Sequence, residues 1–168
     1  MRGPQTVIEV SVVYFLRIGK HGSEVLLGRK LTGIGLGKLV GPGGKKEHGE
    51  SSVETAVRES CEEVGLELDP TDLNPISNVS YFFAGRPELN QRSTAFAVSR
   101  WKGTPRRSQE LAPSWWPLES LPFEQMWSDA QFWLTRALAG DYLEAKFTID
   151  AKDEVVAKEL NWAGGPPH

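Results

Sequence analysis

The feature that most constrains this chain is a glycine-dense stretch: Gly33, Gly35, Gly37, Gly41, Gly43 and Gly44, with Pro42 among them, fall within twelve residues. Helix is excluded there, because each glycine costs about 1 kcal/mol relative to alanine and a proline about 3. The stretch leads into the first strongly helical segment. Ser51 is placed to cap that helix, and Glu54, three residues on, closes a capping box. Val53, Ala56, Val57, Cys61 and Val64 recur at helical spacing as an apolar stripe, and Gly65 supplies the stop.

Around this pair the pattern is mostly strand. Residues 6 to 17 are rich in Val, Ile, Tyr and Phe and read as one long strand, followed by the turn-forming Gly19-Lys20-His21-Gly22-Ser23 and a hairpin partner from Glu24 to Arg29. Ile76 to Ala84 and Ser93 to Trp101 suit a second hairpin, joined by the polar segment 85–92. Pro113 to Leu118 reads as a short aromatic run before the turn at Glu119 to Pro122. Ser128 to Gly140 reads as a second helix, with Phe132, Trp133, Leu134, Ala137 and Leu138 as its apolar positions. Tyr142 to Ile149 and a segment near Glu154 to Leu160 read as a last strand pair. A single domain over 1–168 is expected, its tail from Ala163 to His168 loose.

Composition narrows the class. Hydrophobic residues make up 39% and charged residues 24%, a globular balance. The formal charge of −3 argues against a grip on a nucleic-acid polymer. Apolar runs are interrupted too often for a membrane span, and the first residues lack the pattern of a secretory signal. A single cysteine, Cys61, rules out an intrachain disulfide. The expectation is a cytoplasmic protein acting on a small molecule, its oligomeric state unresolved with a monomer favoured.

The chemistry lies on the helix. Glu59, Glu62 and Glu63 project from adjacent positions opposite the apolar stripe, and unpaired they repel one another. A solvated acidic face relieved by Arg58 is one reading; a site for a hard divalent cation is the other. The preceding residues decide between them. Gly44, five residues, Glu50, seven residues, Arg58-Glu59, two residues, Glu62-Glu63, one residue, Gly65 and Leu66 form a fixed pattern. Seven matched positions at about 0.07 each give a chance match on the order of 10⁻⁸ per start.

This pattern resembles the signature of the Nudix family, with Ser60 standing where the signature prefers a bulky aliphatic residue. The resemblance implies an α/β fold, an α/β/α sandwich with a mixed, curved sheet between helices. It also implies hydrolysis of a diphosphate linked to another moiety, assisted by Mg²⁺, with Mn²⁺ able to substitute. By resemblance, Glu59 and Glu63 are metal ligands, with Glu62 beside them and the Gly44 carbonyl completing the shell. Arg58 orients the glutamates, and Glu50 ties its loop to Arg58 or holds a metal-bound water. The general base is left open among Glu59, Glu63 and Glu110. In the glycine loop, bare backbone admits phosphate, with Arg29, Lys30, Lys45 and Lys46 as nearby cations.

Further stretches resemble the MutT-type enzymes that hydrolyse oxidised purine nucleoside triphosphates: Val25-Leu26-Leu27-Gly28, Gly85-Arg86-Pro87-Glu88-Leu89, Lys102-Gly103-Thr104-Pro105, Glu110, and Pro122-Phe123-Glu124-Gln125-Met126-Trp127. That resemblance adds Glu110 to the metal site. Trp127 becomes a stacking platform for the base and Asp129 a partner for a purine edge; Lys30 and Val40 also fall at the substrate. The implied reaction converts a triphosphate such as 8-oxo-dGTP to the monophosphate and pyrophosphate, in nucleotide-pool sanitation. Dinucleoside polyphosphates or nucleotide sugars are the alternative substrates, and a non-catalytic nucleotide-binding regulator is the alternative class. Ala130, Val40 and Ile34 depart from the subfamily pattern, each removing a possible contact to the base.

Overall fold

The computed structural model describes residues 7–164 and contains one strongly bent, mixed sheet. Strand β1 (Ile8–Gly19) folds back on β2 (Gly22–Lys30), with Leu16 opposite Val25 and Gly19 opposite Gly22. Gly22 has φ +114°, a conformation L side chains rarely adopt, which lets the hairpin close in two residues. β2 also pairs with two short strands, β3 (Leu39–Val40) on one side and the later β7 (Leu111–Pro117) on the other. β4 (Gly43–Lys45) lies antiparallel to the first half of β1.

That first half of β1 also runs parallel to β6 (Gln91–Val98). β6 is antiparallel to β5 (Asn74–Phe83), β5 is parallel to β8 (Tyr142–Ile149), and β8 is antiparallel to β9 (Val155–Ala163). β1 therefore changes partners midway along its length. Its two halves belong to differently oriented parts of the sheet.

Alternation along β1 assigns the two faces. Val13 and Phe15 point to one side and pack with Leu26, Phe96, Val98 and Leu111 beneath helix α1 (Ser52–Val64), against Ala56 and Val64. Tyr14 points to the other side, with Val79, Phe83, Ala95, Leu143 and Phe147. That face is covered by Met126, Trp133 and Leu134, the last at the start of the short helix α2 (Leu134–Leu138). Phe15 and Phe147 are fully buried, one on each face, and each contributes about 1.5–3 kcal/mol of hydrophobic stabilisation. The architecture is the expected α/β sandwich with a mixed, curved sheet, though its second helical layer is thin. Among the described residues no helix is long and apolar enough to cross a membrane.

Local differences from the sequence reading have physical causes. Ser128 to Gly140 is not one helix: a 3-10 turn at Ala130–Phe132 precedes α2, and Trp133 between them leaves the helical region at φ −145°. The aromatic run Trp115-Trp116 lies in β7 because its backbone completes the β2 ladder, a long-range pairing invisible to local pattern. Within the glycine stretch, β3 and β4 form by the same kind of tertiary pairing. On α1 the buried positions are Thr55, Ala56, Ser60 and Val64, while Cys61 is exposed. The helix is thus rotated from the stripe its apolar residues suggest. Ser60, small and buried, fits where a larger side chain was expected. The last strand runs to Ala163; residues 165–168 of the predicted loose tail, and Thr6 at the start of the first predicted strand, lie outside the described residues.

Candidate active site

The capping box at the start of α1 is complete. Ser51 Oγ accepts from the Glu54 amide at 3.1 Å, and Glu54 Oε1 accepts from the Ser51 amide at 3.0 Å. At the other end Gly65 is left-handed at φ 72°, and its amide donates to Cys61 O. With both ends fixed, α1 presents Arg58, Glu59 and Glu63 toward the loop that carries β4, with Glu62 at the outer edge against Arg58.

Arg58 is the organising group of this rim. Its Nε and Nη2 donate to Glu50 at 2.7 and 3.0 Å, its Nη1 donates to Glu59 at 2.9 Å and to Glu62 at 3.1 Å, and Nη2 also reaches Lys45 O at 3.0 Å. A planar fork with five donors can bind a loop carboxylate, two helix carboxylates and a backbone carbonyl at once. Glu50 further accepts from the Glu47 amide and from Thr55 Oγ1. The hydrogen bonds from Arg58, then that from the Glu47 amide, lower the Glu50 carboxyl to about 2. The tie from Glu50 to Arg58, one of the two sequence readings of Glu50, is present.

Glu63 behaves in the opposite way. Burial, joined by the like charges of Glu59 and Glu110, pushes its carboxyl up to about 7, against the Gly43 amide that donates to Glu63 Oε2 at 3.1 Å and the charge of Lys30. Glu59 is also raised, by burial and then by Glu62 and Glu110, with Arg58 opposing. Carboxylates crowded in this way are stabilised by a cation among them. Close approach of the loop is built in: a Cβ on Gly44 would collide with the Glu59 carboxylate, and one on Gly43 with the backbone of β1 at Ser11. The donor set, all hard oxygens, fits Mg²⁺ or a similar ion. As the side chains stand, among the described residues no three acidic, histidine or cysteine groups enclose a metal site. Glu62 points outward to Arg58 and solvent.

From this rim a cavity of about 420 Å³ extends across the other face of the sheet. Lys30, Gly43, Gly44, Lys45 and Glu63 line one end. Trp127, Asp129, Ala130 and Trp133 line the other, with Val40 and Ile34 along the glycine loop. Trp127 is held by the Phe83 ring, edge-on at 6.0 Å, while Lys38 Nζ lies 5.1 Å from the centre of its own ring. Asp129 is 3% exposed, and its Oδ2 accepts from Tyr81 Oη at 2.8 Å and Trp133 Nε1 at 2.9 Å.

The structure therefore brings Gly44, Arg58, Glu59, Glu62 and Glu63 together at one rim, and Lys30, Val40, Trp127 and Asp129 onto one cavity. Glu110 lies exposed just before β7; its carbonyl accepts from the Leu31 amide at 2.9 Å, and the β2–β7 ladder carries it close enough to act on Glu59 and Glu63. Two expected loop cations are otherwise engaged: Arg29 braces Gly37 O and Gln125, and Lys46 pairs with Glu9 at 3.3 Å. Sequence reasoning missed Tyr14, Tyr81, Phe83 and Trp133. The alternation of Ser77, Val79, Tyr81 and Phe83 marks one strand face, but nothing local says that this face lines a cavity.

Comparison with known proteins agrees with this geometry. Residues 7–137 match the NUDIX domain family model. The chain is 33% identical over 153 residues to an oxidized purine nucleoside triphosphate hydrolase of Mus musculus, covering 91% of this chain and 96% of that one. It is 36% identical over 138 residues to the protein of the same name from Danio rerio, covering 82% and 86%. A MutT protein from Bacillus halodurans superposes with a TM-score of 0.75 at 22% identity, over 92% of this chain and 98% of that one. A capped acidic helix, a glycine loop against its carboxylates and a match across most of the chain lead to one assignment: the protein is a hydrolase of the Nudix family.

Proposed function

We propose that this Nudix hydrolase cleaves nucleoside triphosphates, oxidised purine ones such as 8-oxo-dGTP among them, to the monophosphate and pyrophosphate with Mg²⁺. The observation that carries the reading is continuity. One cavity joins the glutamate rim at Glu63 and Gly44 to the indole of Trp127 and the carboxylate of Asp129, so a base and a phosphate chain fit one space. The relatives named for oxidised purine triphosphates support the same substrate class.

Held by the residues of the glutamate rim, Mg²⁺ would supply charge neutralisation, the main requirement of pyrophosphate hydrolysis. Glu59 and Glu63, with Glu62, Glu110 and the Gly44 carbonyl, are the groups proposed to hold it. Arg58 fixes Glu59 by its 2.9 Å hydrogen bond and ties the loop through Glu50. Lys30 and Lys45 line the phosphate end as cations, and Gly43 and Gly44 admit the chain without side-chain obstruction. At the far end Trp127 stacks on the base and Asp129 accepts hydrogen bonds from its edge. Cys61, exposed and the only cysteine of the chain, suits a reducing compartment such as the cytoplasm.

The test is a panel of normal and oxidised purine triphosphates, a dinucleoside polyphosphate and a nucleotide sugar, each with Mg²⁺ or with chelator, with products identified. Pyrophosphate release from the triphosphates only with metal is the expected result. Turnover confined to the dinucleoside polyphosphate or nucleotide sugar overturns the substrate, and Glu59→Gln, Glu63→Gln and Glu110→Gln separate the candidates for the general base.

A further inference from the structure

The base end of the cavity contains one ionisable acceptor and few other polar groups from the loops. Val40, Ile34 and Ala130 line it with hydrocarbon. Asp129 is instead held from behind by groups of the sheet and of the segment that follows it. Tyr81, on β5, and Trp133 both donate to the same oxygen, Oδ2, at 2.8 and 2.9 Å. Tyr14 on β1 also lies near enough for the Asp129 charge to act on its hydroxyl. Burial raises the Asp129 carboxyl, and the hydrogen bonds from Trp133, Tyr81 and its own backbone amide work against that rise. Burial and the Asp129 charge raise the Tyr81 hydroxyl, so it keeps its proton and remains a donor.

We infer that Tyr81 is a specificity-determining positioning residue: by occupying Asp129 Oδ2 together with Trp133, its hydroxyl locks the carboxylate as an acceptor that offers only Oδ1 to the base. Fixed opposite the ring position beside the amine, Oδ1 matches the lactam N–H of guanine. It mismatches the adenine edge, where a bare ring nitrogen sits beside the amine and two lone pairs would face each other. Val40 and Ala130 supply no polar side chain, and Ser77, Gln91 and Ser93 line the cavity as neutral groups from the sheet, so this orientation is the charged element of the discrimination. The inference rests on the proposed function, because it presumes a purine triphosphate in the cavity.

The experiment measures kcat and KM for 8-oxo-dGTP and 8-oxo-dATP with Mg²⁺, together with melting temperature, in the wild type and in Tyr81→Phe. The wild type is expected to favour the guanine edge. In Tyr81→Phe the ratio of kcat/KM values should fall about tenfold, the loss lying in KM for 8-oxo-dGTP rather than in kcat. A purely structural role would instead lower activity on both nucleotides together. If Tyr81→Phe does not fold, Trp133→Phe removes the other donor from the same oxygen and should shift the ratio in the same direction. Wild-type protein that turns over neither nucleotide overturns the proposed function and this inference with it. Turnover with no guanine preference, or with a ratio unchanged in the variant, overturns the inference alone.

Discussion

The two ends of the cavity are built in contrasting ways. The glutamate rim comes mainly from residues 43 to 63, one loop and the helix that follows it, and charge organises it: Arg58 holds three carboxylates within 3.1 Å while burial strains Glu63 toward neutrality. The rest of the cavity is drawn from β1, β3, β5, β6 and the segment from Met126 to Trp133, and shape organises it, with a single carboxylate fixed by neutral donors. The difference suggests a division of labour. Under the proposed function, chemistry is concentrated in a short contiguous segment, whereas recognition is spread over strands far apart in the chain and is easily altered one side chain at a time.

The contrast predicts how variants should divide. The largest effect is expected for Glu63→Gln, which should lower kcat about 10³-fold, the scale for removing one preorganised electrostatic group, with KM little changed. Steady-state kinetics and melting curves check it; a loss confined to KM would erase the distinction between the two ends. Next, Trp127→Ala should remove stacking worth about 1–3 kcal/mol, raising KM roughly 5- to 150-fold with a smaller change in kcat. Isothermal titration with a non-hydrolysable purine triphosphate would read the same loss as weaker binding.

A smaller pair of variants sharpens the boundary. Gly43→Ala places a Cβ against the β1 backbone at Ser11 and should cost about 1–3 kcal/mol of stability, measured by denaturant unfolding. Gly44→Ala meets instead the end of the Glu59 side chain, which can swing, so its cost should appear mostly in turnover. Equal stability losses in the two variants would contradict this assignment. The smallest effect concerns Glu50, whose carboxyl is lowered to about 2 by Arg58 and the Glu47 amide. Because the folded value lies below the unfolded one, its contribution to stability is present above about pH 4.5 and is lost as pH falls toward 2. Glu50→Gln should therefore flatten the dependence of melting temperature on pH across that window, and an unchanged slope would show that Glu50 does not couple the loop to the helix.

How far the sequence alone reaches follows the same division. Ser51 with Glu54, Gly65, and the spacing of Arg58, Glu59, Glu62 and Glu63 were legible because capping, helical period and charge proximity are local, set by neighbours within four residues. The first hairpin and the pair β8 and β9 were legible for similar reasons, as strand runs separated by turn residues. The exposure of Cys61, the strand character of Trp115 and Trp116 and the break at Trp133 were not, since each depends on a partner far along the chain. Tyr81 shows the limit most clearly: its alternation with Val79 and Phe83 marks a strand face, yet its hydroxyl meets Asp129 48 positions away only because the sheet and the segment after Trp127 close over the same cavity. The sequence by itself determined the acidic helix, its caps and the family. The tertiary structure decided which side chains line the base end, because long-range strand pairing and burial, not local preference, choose which face of each strand looks inward.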